Sequence, residues 1–441
     1  MRIIRNAEEG RRTLLARQPL DPEELPMEIR ETTFRAFGAE LAPDEVVRRI
    51  IRDVREDGDN AVRFYNSALD NASAEELRVT PEETRAAYEQ VAPEIVEALR
   101  FAAGRIRTYH EQQLRGALVD FNISGLGQMT RAIQRIGLYV PGTAAPLPST
   151  VLMCAVPARV AGVDELYITS PILRDGTVPA VKLVAADIAG VDGVFKAGGA
   201  QGIAAFAYGT ETIPRVDKVC GPGGLFVTLA KKAVFGDVGI DAIYGPTETV
   251  IIADESANPE LVAADLLAQA EHDALASPIL LTPSHFLADE VARQIERQLR
   301  DMERAKIARA ALDGRGGCIL VNDIDHAIEL ANEYAPEHLC LMVEQPMAYA
   351  SRVRNCGGLF LGEASPEAIG DYTAGPSHTM PTGGSARWSS ALGVTDFLKV
   401  ISVINLPDDA TEELAQAASI IARAEGLTGH ARAVERRLQG R

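Results

Sequence analysis

The sequence predicts an α/β protein built from two Rossmann-like parallel-sheet domains with helical N- and C-terminal extensions. Between residues 135 and 254, short apolar runs that end in glycine or proline alternate with alanine-rich segments of helical character. A second series of helices and apolar runs follows from about residue 259, through PILLT, GCILV, LCLMV and GLFLG. Alternation of this kind is typical of βαβ units and of a parallel sheet.

The regions outside these two series are predicted to be helical. From Pro43 to about Arg115, Val, Ile, Leu and Ala recur at three- and four-residue spacing between charged residues. This is the pattern of amphipathic helices. The tail repeats the spacing from Leu414 to Ala424 and resumes after a break at Gly426, which indicates a separate small helical element.

Composition and charge narrow the class of partner. The chain has 441 residues, of which 46% are hydrophobic and 24% are charged, as in ordinary globular proteins. The 44 Lys and Arg residues stand against 62 Asp and Glu residues, and the net charge of -18 repels phosphate backbones and anionic lipid. We therefore expect no nucleic-acid or membrane partner, and a small-molecule substrate instead.

Cysteine usage and the N-terminal sequence bear on the compartment. The five cysteines are scattered and form no CxxC pair, which indicates reduced thiols rather than disulfides or a zinc site. The N-terminal residues lack the apolar stretch of a signal peptide, and no segment reaches the roughly 18 unbroken apolar residues of a membrane span. These features predict a cytoplasmic protein.

Glycine turns mark the predicted ligand-binding edge. Ligands of parallel α/β folds bind beyond the carboxyl ends of the strands, so we expect binding at the turns after Val140, Lys196 and Cys220. The chain has no GxGxxG motif, but each turn supplies backbone N–H groups where a cofactor phosphate can sit. Such turns occur in every α/β protein and do not by themselves identify a cofactor.

Four residues are candidates for a metal site. Gln269 and His272 stand three apart in a predicted helix, so both side chains should project from one face. Asp371, in a loop after a predicted strand, and His430, after the break in the tail, can complete the set. Two oxygens and two imidazole nitrogens suit zinc or a neighbouring divalent metal. A solvated or capping Gln/His pair is the alternative.

Two further pairs combine an acid with an imidazole. Glu337 and His338 directly precede the apolar run LCLMV, and such a pair can act as general base and general acid. A surface Glu–His pair is the alternative. Glu425 and His430 stand five apart and can face one pocket only if Gly426 allows a turn between them.

The motifs in their order resemble the histidinol dehydrogenase family. They are GLYVPG, APLPSTVLM, GGAQ, VDKVCGPGG, GPTE, QAEHD, YAPEH, DYTAGPSHTMPTGGSAR and EGLTGHA. The resemblance as a whole runs from about residue 30 to 435. The resemblance implies a zinc- and NAD-dependent, two-step oxidation of L-histidinol to L-histidine via L-histidinal, the last steps of histidine biosynthesis.

The resemblance also implies roles for the matching residues. One zinc ion per subunit is held by Gln269, His272, Asp371 and His430. The catalytic pair is Glu337 and His338. Substrate is bound by Thr247, Gln269, His272, His338, Asp371, Glu425 and His430. NAD is contacted by Tyr139, Gln201 and Gly224.

A homodimer with shared active sites is implied as well, since the family's C-terminal element reaches the partner's site. The predicted segments are a helical N-terminal arm (1–29), a first α/β domain with zinc and the catalytic residues (30–138 and 247–390), a second α/β domain with dinucleotide-binding turns (139–246), and the C-terminal helical element (391–441).

Departures from the family pattern leave other activities open. Gly224 replaces the asparagine of the usual GPGN, and Thr247 replaces the serine of GPSE. A paralogous zinc and NAD alcohol dehydrogenase for another small polar alcohol, such as a sulfonated propanediol, is the alternative. Glu425 favours histidinol, because a carboxylate attracts a cation and repels a sulfonate. A non-catalytic binding protein is a third hypothesis, which the Glu337–His338 pair beside a complete metal set argues against.

Overall fold

A computed structural model describes residues 1–17, 27–117, 119–142, 145–407 and 411–439. Unit 1 consists of Met1–Arg115 and Ile133–Phe397, and unit 2 of Gly116–Ala132 and Leu398–Arg441. Residues 18–26 of the predicted N-terminal arm lie outside the described residues. No helix in the described ranges is both long and apolar enough to cross a bilayer.

The bounds of the elements are as follows. The strands are β1 (Ile3–Ile4), β2 (Phe121–Ile123), β3 (Leu126–Ala132), β4 (Arg135–Tyr139), β5 (Glu165–Ser170), β6 (Gly193–Lys196), β7 (Lys218–Cys220), β8 (Gly239–Ile240), β9 (Glu248–Ala253), β10 (Ser277–Thr282), β11 (Gly317–Leu320), β12 (His338–Met342), β13 (Gly358–Leu361) and β14 (Leu398–Ile404). The helices are α1 (Ala7–Arg12), α2 (Met27–Phe37), α3 (Pro43–Asp70), α4 (Pro81–Gln90), α5 (Pro93–Gly116), α6 (Pro148–Val160), α7 (Ala180–Ala189), α8 (Gly199–Tyr208), α9 (Leu225–Val234), α10 (Pro259–Ala270), α11 (His285–Gln298), α12 (Ala305–Gly314), α13 (Ile324–Tyr334), α14 (Pro346–Ala350), α15 (Glu367–Tyr372), α16 (Thr411–Ala424) and α17 (Thr428–Gln439).

Unit 1 contains two parallel sheets, which confirms the predicted fold class. The six-stranded sheet has the order β1-β11-β10-β9-β12-β13, and the five-stranded sheet has the order β6-β5-β4-β7-β8. Chain order reverses between β9 and β12 in the first sheet and between β4 and β7 in the second. Strand β1 shows that the N-terminal arm, predicted to be helical, also adds an edge strand to the larger sheet.

Complete burial explains the apolar runs of the six-stranded sheet. Every residue of β9, β10 and β12 is buried. A strand covered by helices on both faces needs apolar side chains on both, so its sequence is a continuous run rather than an alternation. The helix α10 that covers β9 and β10 begins at Pro259, and the Asn258 side chain accepts a hydrogen bond from Glu260 N at its first turn.

Helix α3 packs on the five-stranded sheet. Its side chains Val46, Ile50 and Val62 belong to one buried cluster with Ile203 and Phe206 of α8. The sequence instead assigns residues 30–138 to the domain of the catalytic residues, and for α3 that assignment is wrong. The spacing of apolar residues indicates which face of a helix is buried but not which sheet covers it.

Unit 2 is a three-stranded antiparallel sheet, in the order β14-β3-β2, together with the helices α16 and α17. The two helices are joined by Gly426, whose φ of 77° ends α16, and by an ion pair between Arg423 and Glu435 at 2.8 Å. The sequence analysis predicts only helix in the tail. Strand β14 was missed, although its sequence LKVISVI is rich in β-branched residues.

The packing of α3 generates a stability prediction. Ile50→Ala should lower the free energy of unfolding by about 2 to 5 kcal/mol, because the truncated side chain leaves a cavity in the core of the five-stranded sheet. Urea denaturation followed by circular dichroism measures the change. The exposed Glu56→Ala on the same helix is the control. Equal, small effects of the two substitutions would show that α3 is not part of this core.

Candidate active site

One cavity of unit 1, of about 160 Å³, brings together most of the predicted site residues. It lies where residues that precede β9 and β12 meet the start of α6 and the turn after β7. Its lining includes Thr247, Gln269, His272, Glu337, His338, Asp371 and His378 from the side of the six-stranded sheet, and Leu147, Ser149, Thr150, Pro222 and Tyr244 from the side of the five-stranded sheet.

The acid and imidazole groups occupy the amino edge of their sheet. Glu337 and His338 stand at the start of β12, and Thr247 directly precedes β9. The sequence predicts ligand binding at the carboxyl ends of the strands, whereas these residues lie at the opposite end of their sheet. Of the three predicted turns of the five-stranded sheet, the turn after Cys220 reaches the cavity, through Pro222. Helices α10 and α13 run back from the carboxyl ends of their preceding strands, so their last residues arrive at the amino edge.

Glu337 is held by hydrogen bonds from the adjoining strand. Thr247 Oγ1 lies 2.6 Å from Glu337 Oε2, and Glu248 N donates to the same oxygen at 3.2 Å. Burial raises the pKa of Glu337 to about 7, although His338 and these donors act in the opposite direction. A carboxyl group with a pKa near neutrality can exchange a proton at physiological pH, as a general base must.

His338 is buried, and both of its ring nitrogens can accept or donate a hydrogen bond to a bound molecule. Only 3% of it is exposed, and neither ring nitrogen has a hydrogen-bond partner within the described ranges. Its Nδ1 lies 3.7 Å from Glu337 Oε2, and its Nε2 lies 3.6 Å from Asp371 Oδ1. Burial lowers the pKa of His338, but the charges of Glu337, Glu367 and Asp371 raise it more, to about 10. Unpartnered polar atoms at such depth point to a missing ligand.

Gln269 and His272 approach the cavity from the end of α10. The helix ends at Ala270, so His272 lies just beyond it and not on the helix as predicted; its N–H bonds to Gln269 O at 3.2 Å. The Gln269 side chain is buried and its Oε1 lies 2.9 Å from Thr247 Oγ1. The His272 side chain is exposed. Gln269 and His272 are therefore brought together by the turn at the end of α10, and not by a shared helical face as predicted.

Asp371 lies in the short helix α15, where the sequence predicts a loop. Burial raises its pKa, but His338, His378 and His272 together lower it below the usual range, so the carboxylate is ionised. His378 Nδ1 lies 2.9 Å from Asp371 O, and its Nε2 lies 3.3 Å from Thr150 Oγ1. His378 therefore links the segment of Asp371 to the start of α6.

Glu425 and His430 belong to unit 2, apart from the unit that holds the cavity. Both are exposed, and the predicted turn at Gly426 is present between them. Within the described part of the chain, no three His, Cys, Asp or Glu side chains are grouped closely enough to hold a metal. Of the four predicted ligands, Gln269, His272 and Asp371 share the cavity of unit 1.

The predicted dinucleotide contacts do not line the cavity. Tyr139 and Gln201 are buried: Tyr139 OH accepts from Gly199 N at 3.1 Å, and Gln201 Nε2 donates to Asp70 at 3.1 Å. Gly224 precedes α9 with a φ of -67°, which any residue can adopt, and a Cβ there would have nothing within 4 Å. The three residues stand near the carboxyl edge of the five-stranded sheet, and their role stays a prediction.

Several residues of the site were not singled out from the sequence. His378 was visible only as the end of the Asp371 motif, and Thr150 and Tyr244 only as parts of apolar segments. The one available signal is that histidine is scarce, with seven in the chain. A histidine seven residues after a predicted ligand is a reasonable candidate for supporting it.

Comparisons with known proteins identify the family of the chain. The sequence profile of the histidinol dehydrogenase family matches residues 38–438. The histidinol dehydrogenase of Deinococcus radiodurans is 48% identical over 408 residues, which cover 92% of this chain and 93% of that protein. That of Thermus thermophilus is 50% identical over 404 residues, 91% of this chain and 96% of that protein. The crystal structure of histidinol dehydrogenase from Elizabethkingia anophelis matches with a TM-score of 0.90 at 34% identity and covers 100% of this chain and 98% of that one.

Proposed function

The chain belongs to the histidinol dehydrogenase family, and we propose that it oxidises L-histidinol through L-histidinal to L-histidine, as the last steps of histidine biosynthesis. The observation that carries this proposal is the buried Glu337–His338 pair beside Gln269, His272 and Asp371 in one cavity. Buried titratable groups with shifted pKa values in one cavity are typical of catalytic sites, which argues against a scaffold without catalysis.

The donor set suits one zinc ion per subunit. Gln269, His272 and Asp371 offer an amide oxygen, an imidazole and a carboxylate, which a metal of borderline softness accepts. The ends of α10 and α13 at this edge carry partial negative charge, which also favours a cation. Zinc bound there would hold the imidazole and amine of the substrate. We propose His430 as the fourth ligand, with Glu425 facing the cationic substrate.

His338 and Glu337 divide the proton transfers. Against the effect of burial, the carboxylates around His338 raise its pKa, and a cation bound at Asp371 would offset their charge, so that the neutral imidazole can take the hydroxyl proton of L-histidinol as the carbon loses a hydride. Glu337, held by Thr247, takes a proton from the water that adds to the aldehyde, so that the hydrate can lose a second hydride and leave as the carboxylate. Once it has released the first proton to solvent, His338 can accept the remaining hydroxyl proton of the hydrate.

We propose NAD as the acceptor of both hydrides, bound at the carboxyl edge of the five-stranded sheet. That edge carries the reversal of strand order between β4 and β7, where dinucleotides bind in related topologies. The helices α6 and α9 begin there and direct backbone N–H groups outward, as phosphate groups require. Tyr139, Gln201 and Gly224 are the proposed contacts.

The metal set is incomplete in one unit, so we propose a homodimer in which unit 2 of one chain serves the cavity of the other. Unit 2 exposes large apolar side chains, as expected of an interface: Phe121, Ile123, Ile404, Ile420 and Ile421. A cytoplasmic location remains our proposal; all five cysteines are free, and four are buried, which suits a reducing compartment.

The proposal is tested by following NAD reduction by the zinc-loaded protein with L-histidinol and with a sulfonated propanediol in parallel. We expect four electrons transferred per L-histidinol and no turnover of the sulfonate. Turnover of the sulfonate alone would establish the paralogous activity. If NAD is reduced with neither compound, the family assignment stands but the proposed substrate is wrong.

The metal assignment predicts that His272→Ala loses zinc. Removing an imidazole donor should weaken zinc binding by at least about tenfold, because even the loss of a residue that only hydrogen-bonds to a metal ligand has an effect of that size. Elemental analysis after dialysis against a weak chelator measures occupancy. His285→Ala, which removes an exposed histidine elsewhere, is the control. Full zinc content in His272→Ala would refute the assignment.

The catalytic assignment predicts different defects for the two residues. His338→Asn should slow both oxidations, and Glu337→Gln mainly that of the aldehyde, each by about 10² to 10⁴. Single-turnover rates starting from L-histidinol and from L-histidinal separate the steps. The exposed Glu344→Gln is the control for loss of one carboxylate. Equal slowing of both steps by Glu337→Gln would contradict the division of roles.

The open position at Gly224 predicts a gain in cofactor affinity. Gly224→Asn should strengthen NAD binding about two- to twelvefold, as one neutral hydrogen bond of about 0.5 to 1.5 kcal/mol would. Asparagine also caps α9, so Gly224→Ser, which caps without an amide, is the matched control. Titration calorimetry with NAD gives the affinities. If the serine and asparagine variants bind NAD equally well, the asparagine amide makes no contact with NAD.

A further inference from the structure

Two glycines at the proposed cofactor edge share an unusual conformation. Gly142 follows β4 and Gly221 follows β7, on either side of the reversal of strand order, and each has a φ of 109°. A Cβ would lie 1.9 Å from Ala145 O at Gly142 and 2.3 Å from Tyr139 O at Gly221. Both positions therefore require glycine, for conformation and for space.

A buried lysine holds the carbonyl of each glycine. Lys182 Nζ donates to Gly142 O at 3.1 Å, and Lys231 Nζ donates to Gly221 O at 2.9 Å. The two lysines are 2% and 1% exposed. The lysines come from different helices, α7 and α9, so the same contact between a buried lysine and a glycine carbonyl occurs twice in this sheet.

The two lysines differ in how their charge is balanced. Lys231 forms an ion pair with Asp241, whose other oxygen accepts from Gly221 N at 2.6 Å. The second partner of Lys182 is the neutral Ser170 Oγ at 2.8 Å, and no described carboxylate forms an ion pair with it. The pair at Gly221 is neutral as a whole, whereas the turn at Gly142 carries a positive charge.

An uncompensated buried cation is costly, and proteins retain one where an anion offsets it. Burial lowers the pKa of Lys182 only to about 8, so the side chain is still mostly charged at pH 7. Leu147, Ser149 and Thr150, which follow Gly142 in the chain, form one wall of the catalytic cavity. The charge thus lies beside Gly142, at the proposed cofactor edge and a few residues before that cavity wall in the sequence.

We propose that Lys182 is the cationic residue of the dinucleotide site, which fixes the Gly142 turn and stabilises the pyrophosphate of bound NAD across that turn. The inference rests on the proposed function, because it presumes a dinucleotide at this edge. Lys182 is a positioning residue: it is too deeply buried to touch the reacting atoms, and its charge acts through the Gly142 peptide.

Calorimetric titration of zinc-loaded protein with NAD, ADP-ribose and adenosine tests the proposal. ADP-ribose carries the pyrophosphate without nicotinamide, and adenosine carries neither. Lys182→Met should weaken NAD and ADP-ribose about tenfold and leave adenosine unchanged, since only the anionic ligands lose an attraction. It should also flatten the dependence of ADP-ribose affinity on salt. Lys232→Met, at an exposed lysine of α9, is the charge-matched control.

If Lys182→Met weakens the binding of ADP-ribose and of adenosine equally, Lys182 only anchors the loop and has no electrostatic role. If the affinities for both ligands are unchanged, Lys182 has neither role. If Lys182→Met does not fold, Lys182→Arg keeps the charge and should keep the wild-type preference for ADP-ribose over adenosine. Loss of that preference in the arginine variant would contradict the proposal. Failure of the wild type to bind NAD or ADP-ribose would instead count against the proposed cofactor.

Discussion

The parallel pairing of β9 with β12 is the constraint on which the site depends. The register sets His338 opposite Thr249 and therefore Glu337 opposite Glu248, whose N–H bonds to the Glu337 carboxylate. Thr247, the residue before Glu248, then lies within reach of the same carboxylate, at 2.6 Å. A slip of one residue would turn His338 to the other face of the sheet and move Glu337 away from Thr247. Complete burial of both strands makes such a slip expensive.

The two sheets of unit 1 present opposite ends to the cavity. The six-stranded sheet contributes the starts of β9 and β12 and the end of α10, which favours cations and carries metal-type ligands. The five-stranded sheet contributes the turn after β7 and the start of α6, which favours anions. One wall of the cavity therefore favours cations and the other favours anions, which suits a reaction between a metal-held cationic substrate and a phosphate-bearing cofactor. Both walls are built from βαβ units, seen from opposite ends of the strands.

Motif order predicted which residues meet in the cavity better than it predicted the architecture around them. Glu337, His338, Gln269 and Asp371 were identified because the motifs that carry them resemble one family in their order along the chain. The position of α3, the strand β14 and the amino-edge location were not predicted, because apolar spacing shows that a face is buried without showing what covers it. Lys182 was invisible for a different reason: one lysine in an apolar helix has no pattern, and its significance comes from a carbonyl 40 residues earlier in the chain.

The central claim is that a Glu337–His338 cavity in unit 1 is completed by His430 from unit 2 of a second chain. Its most direct test co-expresses Glu337→Gln and His430→Ala under different tags and purifies the heterodimer that carries both. One of its two sites then combines an intact unit 1 with an intact unit 2, so the account predicts about half of the wild-type activity, while each variant homodimer is inactive. A heterodimer as inactive as both homodimers would show that His430 serves its own chain, and would contradict the account.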